Sequence, residues 1–136
     1  MLKKDITFTD YNGDEVTETY YFNLSRAELV ELEVSYSGGI EAAITRIIET
    51  RDVRNLIKEF KKIILLSYGV RSEDGKKFIK NQELRDDFTQ TAAYDALFME
   101  LATDADAAAV FMNGIIPKGL DAKDVNSPVL NPEPTT

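Results

Sequence analysis

The chain has no cysteine and no histidine among its 136 residues, and no tryptophan. Without cysteine there is no disulfide framework, no thiolate nucleophile and no zinc–thiolate site. Without histidine the usual general base and the commonest metal ligand are missing too. Proline is absent from the body of the chain, the four being Pro117, Pro128, Pro132 and Pro134. No apolar run approaches the roughly 18–20 residues needed to span a bilayer. Residues 1–10 alternate and carry charge, unlike a signal peptide. Positive charge is in deficit: 16 Lys+Arg against 24 Asp+Glu leave a net −8. Phosphate contacts need a basic footprint, so nucleic acid is excluded as the main partner. The expectation from these absences is a cytoplasmic protein that is not an enzyme and holds neither metal nor cofactor.

What is present begins with residues 52–69. Val53, Leu56, Ile57, Phe60, Ile63 and Ile64 recur at i, i+3, i+4, i+7, i+10 and i+11, one face of an α-helix. Arg54, Asn55, Lys58, Glu59, Lys61 and Lys62 fall on the other face. Asp52 can cap its N-terminus. Gly69 stands where a left-handed residue would end it, with Val70 as the hydrophobic contact of a Schellman motif. Because Leu65, Leu66 and Tyr68 make its end apolar nearly all round, the spacing predicts a central, buried helix. The cations clustered on it, with Arg51, read as a solvated face rather than a phosphate site.

Residues 4–24 predict a β-hairpin. Ile6, Phe8, Val16, Tyr20, Phe22 and Leu24 are all even-numbered, the alternation of a half-buried strand. A two-residue turn at Asn12-Gly13 would put the apolar residues of the two arms on opposite faces. A three-residue loop, Tyr11-Asn12-Gly13 with Gly13 in a left-handed bulge, pairs Phe8 with Val16 and Lys4 with Tyr20. Ser25 and Glu28 then form an S-x-x-E capping box, with Leu24 and Leu29 as a hydrophobic staple. The helix they start carries Leu29 and Leu32 and must stop by Gly38-Gly39. A second helix carries Ile40, Ala43, Ile44, Ile47 and Ile48 to about Thr50. Asp74-Gly75 marks a turn, and Phe78-Ile79 a short extended segment. Asn81 caps a short helix through Leu84 and Phe88. A further helix spans about residues 92–102, and Thr103 and Asp106 form another capping box. The last helix runs from Ala105 to Met112, closed by Gly114.

The expected fold is therefore α+β, mostly α: a hairpin and a compact bundle of five or six short helices over residues 26–114. Residues 1–117 are expected to form one globular domain and residues 118–136, where the prolines lie and apolar periodicity ends, a flexible tail.

No constellation of catalytic side chains emerges. Asp104 and Asp106 with Glu100 read as helix capping, Glu73, Asp74 and Glu83 lack the ligand spacing of a calcium loop, and Gly38-Gly39 lacks the G-K-[ST] of a phosphate loop. The hairpin aromatics, including Tyr11 and Tyr21, read as sheet packing. One feature exceeds the needs of a core. Val110, Phe111 and Met112 are consecutive and Ile115-Ile116 follow, more apolar faces than a terminal helix can bury on its own domain. Val110, Phe111, Met112, Ile115 and Ile116 are the expected partner-binding residues.

Several stretches resemble one family. The run from Gln90 to Ala109 (QTAAYDALFMELATDADAAA), the opening Ile6–Gly13 (ITFTDYNG) and the loop Ser72–Lys80 (SEDGKKFIK) are similar to small proteins encoded in siphophage tail-gene clusters, the phage tail assembly chaperones. The likeness covers residues 1–117. It implies a non-enzymatic protein of the host cytoplasm that binds the tape measure protein and keeps it soluble while the tail tube polymerises. The major tail protein is a second candidate partner, and self-association stays open. The family has no catalytic motif, so no residue roles carry over. Two alternatives stand beside it: an acidic phage protein that inhibits a host enzyme by surface mimicry, and a structural tail or head-completion component. Carboxylates clustered on one face would favour the mimic, and an exposed apolar groove the chaperone.

Overall fold

A computed structural model describes residues 1–117, except the side chains of Glu41, Ile44, Ile47 and Ile48. It opens on the hairpin β1 (Leu2–Thr9) and β2 (Glu15–Phe22), in which Phe8 pairs with Val16 and Lys4 with Tyr20. Asp10 donates its amide to the Asp14 carbonyl at 2.8 Å across the Tyr11-Asn12-Gly13 loop. Gly13 adopts φ 87°, the left-handed value the bulge requires. The Asp10 carboxylate accepts from the amides of Asn12 and Asp14, satisfying donors the ladder cannot reach.

Two further strands join the hairpin. β3 (Tyr68–Arg71) pairs with the end of β2, and β4 (Phe78–Ile79) pairs with β3, giving an antiparallel sheet in the order β1-β2-β3-β4. β4 is the extended segment expected at Phe78-Ile79, whereas β3 replaces the expected helix cap. Gly69 is not a left-handed C′ residue: it is buried, lies in β3 and pairs with Tyr21. The helix ends at Ser67, and Tyr68 caps it in extended conformation, donating its amide to the Ile64 carbonyl.

The helices are α1 (Arg26–Ser35), α2 (Gly39–Thr50), α3 (Val53–Ser67), α4 (Gln82–Thr89), α5 (Ala92–Thr103) and α6 (Ala105–Ile115). The fold is thus α+β and mostly α, as the periodicities predict. Both halves of the Ser25–Glu28 capping box form, and the staple residues Leu24 and Leu29 are buried together. Asp52 and Asn81 cap α3 and α4. At α6 the cap is Asp104 rather than Thr103. Its carboxylate accepts from the amides of Asp106 and Ala107, while the Thr103 hydroxyl turns back to the Met99 carbonyl. Gly114 does not close α6 either, since the helix runs through it to Ile115. A Cβ at Gly114 would stand 2.9 Å from Leu2 Cδ1, so this glycine permits β1 to cross the helix closely.

The core is centred on Phe22, not on α3. Phe22 packs edge-on against Phe111 at 5.2 Å and tilted against Phe88 at 5.9 Å, and the Tyr68 ring stacks on Phe88 at 4.2 Å. Leu97, Leu101, Ile115 and Ile64 complete it, and each fully buried apolar side chain contributes about 1.5–3 kcal/mol. Of α3, only Ile64 and Ser67 are buried. The expectation of a helix covered on all sides fails because its lower half alone reaches the core.

Candidate partner-binding surface

The five residues expected at the surface separate. Phe111 and Ile115 are 1% and 0% exposed, members of the core around Phe22. Continuation of α6 through Gly114 sets them i, i+4 apart on its inner face. Met112 and Ile116 are half-buried against that core, and Val110 is 67% exposed. The structure therefore assigns Phe111 and Ile115 to the core and leaves Val110 alone fully presented.

Among the described residues, a contiguous apolar surface lies on the first half of α3. Val53 is 62% exposed, and Leu56 and Ile57 are 48% exposed each. They continue the stripe whose lower members go inside. Phe60 is half-buried against Phe98 of α5, with ring centroids 5.8 Å apart, and Ile64 is fully covered. One helix face thus runs from solvent into the core, which anchors the helix at its C-terminal half. The periodicity of α3 already contained this surface; reading the whole stripe as core hid it.

The neighbours of α3 approach from one side. The groove between α2 and α3 is lined by Ala43, Arg46 and Thr50 on one helix and by Asp52, Asn55 and Glu59 across from them. Glu59 also accepts the Tyr36 hydroxyl from the end of α1, and Lys62 lies over the Tyr36 ring, 4.8 Å from its centroid. Burial and the adjacent Glu59 carboxylate raise the Tyr36 hydroxyl above its ordinary value, so it stays a donor to that carboxylate.

The opposite flank is basic and open. Arg54, Lys58 and Lys61 are exposed, and among the described residues none is in an ion pair. The nearby carboxylates are engaged, Asp52 by the amide of Asn55 and Glu59 by Tyr36. Among the described residues no group of three or more carboxylates is placed to hold a metal ion, and no helix is long and apolar enough to cross a membrane.

A core-anchored helix with a half-uncovered apolar stripe is the kind of surface a binding protein presents, and comparison with known proteins points the same way. A family model described as phage tail assembly chaperone matches residues 1–132. The chain belongs to that family. The comparison with curated proteins found no match, and neither did that with solved structures. The family match runs past Pro117, where the resemblance read from individual stretches ends; residues 118–136 lie outside the described residues. For a tail assembly chaperone, the relevant chemistry is recognition of other tail proteins. Among the described side chains, Val53, Leu56 and Ile57 are the largest group of exposed aliphatic residues on one helix of this chaperone.

Proposed function

We propose that this chaperone binds the tape measure protein in the host cytoplasm and keeps it soluble during tail tube assembly, docking an apolar helix of it on the first half of α3. The observation that carries the proposal is the stripe of Val53, Leu56 and Ile57, exposed on a helix whose other end is anchored in the core. Helix-in-groove recognition uses such a surface, taking partner side chains at i, i+3, i+4 and i+7. The net −8 of the chain keeps a loaded complex from associating with itself. Val110 lies outside this surface, and the other α6 residues support the fold behind it.

Co-expression with the tape measure protein tests the proposal. The partner should precipitate alone, remain soluble with the wild-type chaperone, and precipitate again with the double variant Leu56→Ser, Ile57→Ser. A partner whose solubility is indifferent to the chaperone overturns the function. A double variant that protects as well as wild type overturns the surface. The major tail protein is the control partner, and protection of it instead would transfer the role.

The mimicry alternative has less support. Exposed carboxylates come from separate elements, among them Asp5, Glu18, Glu31, Glu49, Glu83 and Asp106, rather than from one. A structural component would cover the stripe with a second copy, and sedimentation of the free chaperone as a stable ring would favour that reading.

A further inference from the structure

We infer that the segment docking on α3 is an amphipathic helix carrying acidic side chains along one edge of its apolar stripe, set against Arg54, Lys58 and Lys61. The inference rests on the proposed docking surface and adds the chemistry of what fits it. At 100° per residue, Val53, Leu56, Ile57 and Phe60 occupy one arc of α3, Arg54, Lys58 and Lys61 border it on one side, and Asn55 and Glu59 border it on the other. The Asn55 and Glu59 border faces α2 across the groove, and the Tyr36 hydroxyl of α1 is hydrogen-bonded to Glu59 there. A partner therefore enters from the basic border, where the three cations are exposed and without carboxylates of their own.

These cations are a local reversal in an acidic protein. Five of its 16 Lys+Arg residues, Arg51, Arg54, Lys58, Lys61 and Lys62, fall within residues 51–62, while the chain as a whole carries −8. An acidic partner is repelled by most of this surface and attracted at one edge, so charge selects both the place and the direction of docking. A basic partner helix would meet like charge where it must lie closest. Lysine and arginine stems also extend apolar cover beside Ile57 without leaving water.

The experiment uses the full chain and two synthetic helical peptides with the same Leu/Ile stripe, one edged with glutamate and one with lysine, followed by fluorescence anisotropy. The wild type should prefer the glutamate-edged peptide by about tenfold, the worth of three exposed ion pairs of ordinary strength. The preference should shrink as salt is raised. Arg54→Gln, Lys58→Gln, Lys61→Gln should abolish the preference, and the corresponding triple change to glutamate should invert it. Circular dichroism verifies that each variant is folded. Equal affinities, a preference for the lysine-edged peptide, or no binding of either overturns the inference. Loss of tape measure protection in the Leu56→Ser, Ile57→Ser variant does not depend on edge charge, so it judges the docking surface separately.

Discussion

The Phe78 ring of β4 lies directly over Gly69 of β3, so that a Cβ on the glycine would stand 2.6 Å from Phe78 Cε2. Gly69 thereby lets one aromatic ring close the sheet edge over the helix-to-strand corner at Ser67–Tyr68. Gly69→Ala should destabilise the protein by about 1–3 kcal/mol, the usual cost of overpacking. Urea unfolding would show the loss as a lower midpoint at unchanged slope. An unchanged midpoint would mean that the ring moves aside freely, and Phe78→Leu should relieve much of the penalty.

Glu28 joins two devices, closing the α1 capping box and accepting Lys80 Nζ at 2.7 and 2.8 Å. Burial pushes its carboxyl up, but the hydrogen bonds from Lys80 and Ser25 outweigh burial and hold it below the usual carboxylate range. Since the unfolded chain takes the proton first, this stability is present above the unfolded value of about 4.3 and is lost as pH falls through the folded value. Lys80 shifts downward, chiefly through burial, so its ammonium loses more hydration than Glu28 restores. The two partners therefore differ on the worth of the pair. Glu28, which also has the backbone contacts, is the better guide to the acid limb. Glu28→Gln should cost about 1 kcal/mol at neutral pH, allowing for partial exposure, and should flatten the loss of stability between about pH 5 and 3. An acid limb that remains as steep would place the titration elsewhere.

Phe111 and Val110 are adjacent in sequence and opposite in environment. Phe111→Ala should cost about 3–5 kcal/mol, a core-sized cavity beside Phe22. Val110→Ser should change stability by less than about 0.5 kcal/mol. Thermal unfolding of both variants measures the contrast. A small effect at Phe111 would return it to the surface expected from sequence.

Local signals in this chain are legible without coordinates. The Ser25–Glu28 box, the Asp52 and Asn81 caps and the hairpin register each depend on residues within a few positions of one another, so side-chain chemistry and two-residue alternation suffice. The misplaced features are those decided by distant partners. Gly69 and Gly114 both look like helix stops, yet each is a glycine because Phe78 or Leu2 needs the space of its Cβ. The apolar stripe of α3 has one period from Val53 to Ile64, and nothing in that period states where the covering neighbours end. The candidate surface was hidden for the same reason: the apolar cluster of α6 looks uncovered in the sequence, but Phe111 and Ile115 are taken into the core around Phe22.

The boundary between covered and uncovered halves of α3 should appear in hydrogen exchange. Local opening costs little where few apolar contacts are lost, and approaches the global unfolding energy where the core must break. Amides of Ile57, Lys58 and Glu59 sit in the half whose stripe faces solvent, whereas those of Ile63 to Ser67 precede and include the buried Ile64 and Ser67. The first group should exchange faster than the second in the free protein. Binding of the tape measure protein should then slow the first group and leave the second nearly unchanged, because docking covers only Val53, Leu56, Ile57 and their surroundings. Uniform protection along α3 in the free chain would show that its upper half is already covered in solution, by a second copy or by residues 118–136. Protection on binding that rises around Val110 instead would move the docking surface to α6.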